Sequence, residues 1–93
     1  MRRIERTTQF KKDYKRETRG RHKTALESAL IEVIDLLVVD QELPERYFDH
    51  SLVGQWKDFR DCHIKPDLVL IYAKPDPETL SLARLGSHSE LSL

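Results

Sequence analysis

Three histidines, an aspartate and an arginine stand in the second half of this 93-residue chain as His50, His63, Asp67, Arg84 and His88. Imidazole gives and takes protons near neutrality because its unperturbed pKa is about 6.5. A guanidinium is a permanent cation whose planar fork fits phosphate oxygens. A carboxylate orients an imidazole or accepts a proton itself. Such a set suits cleavage of RNA through its own 2′-hydroxyl. One group removes the hydroxyl proton, a fixed cation meets the charge building on the phosphate, and a second proton carrier protonates the leaving 5′-oxygen. That reaction requires no metal. The same residue types also suit zinc, with His50, His63, Asp67 and His88 as tetrahedral ligands at about 2.0–2.1 Å. No two of them stand at a compact metal spacing, and the close pair, His63 and Asp67, straddles a turn at Pro66. Each residue also has a purely structural reading. Asp67 can cap its turn, Arg84 can pair with Asp58 or Asp61, and a single histidine can be a surface group.

The composition narrows the choices. The length allows one domain, residues 1–93, and about one layer of helix on one sheet. An apolar fraction of 39% supports a core, and 34% charged residues imply a well-solvated surface. No apolar run approaches the roughly 20 residues that span a bilayer. Met1-Arg2-Arg3-Ile4-Glu5 is not followed by the apolar stretch of a secretory signal. The single cysteine, Cys62, excludes an internal disulfide and fits the reducing cytoplasm. Cys62 is read as a small packed thiol rather than a nucleophile.

A net charge of zero hides an asymmetry. Residues 1–23 hold ten Lys/Arg against three acids, a net +7, and the remaining seventy residues carry −7. Such a segment suggests an anionic partner, most plausibly nucleic acid, with Lys11, Lys12, Lys15 and Arg16 as phosphate contacts. A solvated basic helix face is the alternative.

The elements that must hold these residues follow from periodicity. Ile4 to Thr8 reads as a strand. A helix capped by Thr7 or Thr8 and striped by Phe10 and Tyr14 runs to Arg19 and stops at Gly20. A second helix spans His22 to Val39 on Leu26, Leu30, Val33, Ile34 and Leu37, with a first turn that Lys23 and the helix dipole leave prone to fraying. Residues 40–49 read as a loop. Strands follow at Trp56–Ile64, Leu68–Ala73 and Thr79–Leu85, joined by the turns Lys65-Pro66-Asp67 and Lys74-Pro75-Asp76-Pro77, and a further short strand is possible at Ser51–Val53. Gly86 ends the last strand and leaves His88 on a short tail. The fold class is α+β, ordered β-α-α-β-β-β, with two helices on one face of a mainly antiparallel sheet and the other face open. Arg84 shares strand parity with Leu80 and Leu82, so without a bulge it faces the core. Trp56, Phe59 and Tyr72 are read first as core. Trp56, beside Lys57, is also a candidate for stacking on a base.

The run Trp56-Lys57-Asp58-Phe59-Arg60-Asp61-Cys62-His63-Ile64-Lys65-Pro66-Asp67-Leu68-Val69-Leu70-Ile71-Tyr72 resembles the central motif of the YafQ branch of the RelE-type toxins. Asp49-His50-Ser51-Leu52 with Gly54, and Arg84-Leu85-Gly86-Ser87-His88, resemble its flanking motifs, so the resemblance covers nearly the whole chain. It implies a bacterial type II toxin with the microbial ribonuclease-like α+β fold, an mRNA interferase cutting message in the ribosomal A site. It implies a cognate antitoxin and operator DNA bound only through the toxin–antitoxin complex. By the same resemblance His50, His63, Asp67, Arg84 and His88 fall on active-site positions. His88 is then the general acid and Arg84 the phosphate ligand, while His50, His63 and Asp67 share the base and positioning roles. No cofactor, metal or membrane is implied. One departure stands at the C-terminus, where the family often has Leu-Phe and this chain has Leu91-Ser92-Leu93. The missing aromatic motivates an alternative function, a catalytically weak toxin-fold module that acts with its antitoxin as co-repressor.

Overall fold

The computed structural model describes residues 1–20 and 23–93. The start of the second helix at His22, expected to fray, lies outside the described residues. The elements are β1 (Arg3–Arg6), α1 (Thr8–Thr18), α2 (Lys23–Val38), β2 (His50–Ser51), β3 (Arg60–Lys65), β4 (Leu68–Ala73), β5 (Thr79–Gly86) and α3 (His88–Leu91). Single 3-10 turns occupy Glu45–Tyr47 and Gly54–Trp56. The sheet order is β1-β5-β4-β3-β2, with β1 parallel to β5 and every other pair antiparallel. This is the expected α+β class.

Two apolar clusters sandwich the sheet. On one face Phe10 of α1 and Leu26, Leu30, Val33 and Leu37 of α2 pack on Cys62, Ile64, Leu70, Tyr72, Leu80, Leu82 and Leu85. Strand β4 is buried on both sides, as its unbroken apolar run implies. The other face departs from expectation because it is not bare. Leu91 from α3, with Leu52, Trp56 and Phe59 from the segment before β3, covers Val69, Ile71 and Ala83. The strand expected from Trp56 begins only at Arg60, since Gly54 takes φ +69° and the chain turns through Trp56 to Phe59.

Two local devices set the site. The β4–β5 register slips between Ile71 and Tyr72, so that Ile71 faces Arg84 while Tyr72 faces Leu82. That bulge frees Arg84 from the core-facing parity of Leu80 and Leu82. The tail after Gly86 is a short helix: Ser87 Oγ accepts the Glu90 N–H at 3.1 Å and Glu90 Oε1 accepts the Ser87 N–H at 2.9 Å. Leu91, 3% exposed, anchors it. A Cβ on Gly86 would sit 3.1 Å from an Arg16 guanidinium nitrogen and 3.4 Å from Leu91, so a larger residue there would press on the side chains that hold α3.

Candidate active site

Cross-strand pairing builds the site in rows. His50 on β2 faces Asp61 on β3, Asp61 faces Ile71 on β4, and Ile71 faces Arg84 on β5. One step along, His63 faces Val69, which faces Gly86. Directly paired residues share a sheet face, so His50, Asp61, His63 and Arg84 all lie on the face covered by α3.

Four of the expected residues converge. His63 and His88 meet edge to face with ring centroids 4.9 Å apart. His88 Nδ1 lies 3.7 Å from Asp67 Oδ1, whose side chain is exposed on the β3–β4 turn. The capped start of α3 puts His88 over β3, because Ser87 fixes the helix and Leu91 pins its far end. His50 completes the group from the edge strand, with Nδ1 2.8 Å from the Phe48 carbonyl and Nε2 3.0 Å from Asp61 Oδ1.

Asp61 is the functional-site residue that sequence reasoning took only as a pairing option for Arg84. It is 2% exposed, and its Oδ1 accepts no aligned hydrogen bond. Burial pushes its carboxyl above the ordinary range, and the nearby imidazoles of His50, His63 and His88 pull it partly back. Its signal in the sequence is parity, since Asp61 and His63 are two apart on one strand.

Arg84 does not join the imidazoles. It stands two strands from Asp61, roughly 10 Å at about 4.8 Å per strand. Its Nε donates to Asp13 Oδ2 at 2.8 Å rather than to Asp58 or Asp61. Asp13 is fully buried and also accepts from Gln9, Arg16 and the Leu85 N–H. Burial alone would raise its carboxyl, but the hydrogen bonds from Arg84, Leu85, Gln9 and Arg16 outweigh that and hold it below the ordinary value. Among the described residues nothing else pairs with Arg84, so its Nη1 edge is available to a phosphate.

The expected RNA contacts separate in the same way. Lys11, Lys12, Lys15 and Lys57 are exposed. Arg16, by contrast, is committed to the fold, donating to Asp13, Glu17 and the Leu85 carbonyl and pairing with Glu90. Trp56 is half-buried, packed edge to face on Phe59 at 5.1 Å, and its Nε1 is buried without a partner. It packs into the apolar cluster of Val69, Ile71, Ala83 and Leu91. The exposed aromatic is Phe48, which sequence reasoning passed over; its ring centroid lies 5.6 Å from that of His63. Cys62 is fully buried, and burial pushes its thiol well above the ordinary value, consistent with a packed, inert sulfur. Among the described residues no group of three or more His, Cys, Asp or Glu is arranged to hold a metal ion, and no helix is long and apolar enough to cross a membrane.

Comparison with known proteins identifies the family and the fold. Residues 2–93 match the family described as the bacterial toxin of the type II toxin–antitoxin system, YafQ. The chain is 40% identical over 89 residues to the mRNA interferase toxin YafQ of Escherichia coli K12, covering 95% of this chain and 92% of that one. It superposes on a copper-bound mutant toxin from Helicobacter pylori with TM-score 0.91 at 42% identity, over 98% of this chain and 99% of that one. It superposes on YafQ in the E. coli DinJ-YafQ toxin-antitoxin complex with TM-score 0.81 at 38% identity, over 97% and 96% of the two chains. The chain belongs to the YafQ family of bacterial type II toxin–antitoxin toxins.

Proposed function

We propose that this toxin is a ribosome-dependent endoribonuclease that cuts mRNA in the ribosomal A site by metal-free acid–base catalysis and is held in check by a cognate antitoxin. The observation that carries this reading is the convergence of His50, His63 and His88 around the buried Asp61. His88 is the general acid for the 5′-oxygen. It is half-exposed at the tip of α3, where a leaving group can reach it. His63 or His50 removes the 2′-hydroxyl proton, with Asp67 and Asp61 orienting the rings. Arg84, clamped by Asp13, offers its free edge to the scissile phosphate. Proton transfer and charge neutralisation are then both supplied by side chains. Lys11, Lys12, Lys15 and Lys57 contact RNA phosphates of the ribosome or message.

The antitoxin expectation is supported by the DinJ-YafQ complex of the relative, and operator DNA is reached only through the toxin–antitoxin complex. A cytoplasmic site of action follows from the ribosomal substrate.

The test is primer extension on a reporter message in programmed ribosomes, with wild type and His88→Ala. In-frame cuts that disappear in the variant are the expected result. Cuts that persist at wild-type rate would remove His88 from its role. Intact message with both proteins would favour the co-repressor reading.

A further inference from the structure

We propose that the groove between α2 and β3 seats a base of the substrate RNA, stacked on Phe48. The proposal rests on the ribonuclease reading and assigns a substrate-binding side chain to it. Phe48 is 68% exposed and sits in the left-handed region at φ +49°, a conformation that costs a bulky residue free energy. Two backbone contacts hold it there. Its N–H donates to the Glu45 carbonyl at 3.0 Å, and its own carbonyl meets His50 Nδ1 at 2.8 Å. The strained residue therefore aims an imidazole with its backbone and presents a ring beside His63 with its side chain.

Beside that ring a groove of about 760 Å³ opens between α2 and the end of β3, within the usual range for a small-ligand site. Ala25, Ser28 and Ala29 keep its α2 wall low, and His63 and Phe48 form the wall nearest the imidazoles. Lys65 adds positive charge along it, while Arg46 is paired with Glu32 of the same groove at 2.9 Å. His63 thus belongs both to the proton-transfer cluster and to the groove, so a nucleotide whose phosphate lies at His63 and His88 has its neighbouring base within reach of Phe48. An aromatic face with cations beside it is the arrangement that binds single-stranded nucleic acid. Among the described residues, Trp56 is packed on Phe59, and Tyr47, which also lines the groove, is buried with its hydroxyl on Glu32.

Phe48→Asn and Phe48→Trp separate the possibilities. Asparagine tolerates the left-handed backbone and keeps the carbonyl on His50 while deleting the ring. With purified protein on programmed ribosomes, Phe48→Asn is expected to lower kcat/KM for message cleavage by about 5- to 150-fold, the worth of one base–aromatic stack. The loss should lie mainly in KM, with an unchanged pH–rate profile and a thermal midpoint no lower than wild type. Phe48→Trp should restore cleavage. If Phe48→Asn cuts like wild type, the stacking assignment falls while the ribonuclease reading stands. A shifted pH profile without rescue by Trp would overturn it in favour of a role through His50 alone. Wild-type cleavage by Phe48→Asn with weakened antitoxin binding would reassign the groove to a protein partner. A wild-type protein that leaves message intact would remove both readings together.

Discussion

Asp13 and Arg84 are 71 residues apart in sequence and form a side-chain ion pair of 2.8 Å between α1 and β5, with Asp13 wholly excluded from solvent. The same Asp13 oxygen accepts the Leu85 N–H at 3.0 Å. One carboxylate therefore fixes the cation proposed to hold phosphate and satisfies the backbone beside it.

Removing Asp13 should be severe. Asp13→Ala strands the Arg84 guanidinium and a buried N–H, and is expected to destabilise by roughly 3–5 kcal/mol in urea unfolding. Asp13→Asn should cost less and change the pH dependence. The wild-type carboxyl is held below its ordinary 3.8 in the folded state, so its contribution is fully present above that value and fades as pH falls through the lower folded value. Thermal midpoints measured between about pH 5 and pH 2 should fall more steeply for wild type than for Asp13→Asn.

Asp61→Asn should lower kcat/KM. The Asp61 carboxylate lies 3.0 Å from His50 Nε2, and removing its charge weakens the hold on that ring. Wild-type kcat/KM in the variant would show that Asp61 serves packing alone. Stability should change in the opposite sense to Asp13. A carboxyl raised by burial makes the wild type lose stability as pH rises from the ordinary value through the folded one, and the Asn variant should lack that loss.

The short helix α3 offers a positional test. Ser87→Ala deletes the cap hydroxyl and should cost about 1 kcal/mol of local stability. Leu91→Ala empties a buried site and should cost about 2–4 kcal/mol. Both should lower cleavage through the placement of His88. For Ser87→Ala the loss should exceed what a small drop in thermal midpoint explains, and faster amide exchange confined to residues 87–92 would register the cause.

Chelation and added metal should act in opposite ways from those seen in a metalloenzyme. EDTA is expected to leave cleavage unchanged. Excess copper, which a Helicobacter pylori relative binds, should inhibit by occupying imidazoles needed for proton transfer. Cleavage abolished by EDTA and restored by metal would overturn the metal-free mechanism.

Salt dependence tests the basic helix. Simultaneous replacement of Lys11, Lys12 and Lys15 by Ala should flatten the slope of log affinity for programmed ribosomes against log salt by about 2, at about 0.7 per phosphate contact to a single strand.

Much of this arrangement was legible from residue pattern, and the exceptions have physical reasons. The apolar stripe from Leu26 to Leu37 makes α2 plain, and the parity conflict at Arg84 points to the bulge found between Ile71 and Tyr72. Asp13 was hidden because a helical acid beside basic residues reads as solvated, and only the tertiary approach of β5 buries it. The start of β3 was misplaced because the aromatics Trp56 and Phe59 have strand propensity, yet Gly54 at positive φ turns them under the sheet. Phe48 gave no periodic signal at all. A left-handed phenylalanine in a loop is set by hydrogen bonds to Glu45 and His50 that no local pattern encodes.

Strand β1 pairs with β5 only as far as Leu82. Beyond it, Thr7 Oγ1 donates to the Ala83 carbonyl, Asp13 accepts from Leu85 N–H, and Arg16 donates to the Leu85 carbonyl. Three side chains around helix α1 thereby stand in for a missing strand. A partner that binds by adding a strand finds no vacancy there and is left with the outer sides of β1 and the two-residue β2. Both are poor templates, β1 for its charged Arg3, Glu5 and Arg6 and β2 for its brevity. Recruitment by strand exchange, and the self-association that exposed ladders invite, is thus discouraged at the margin nearest Arg84.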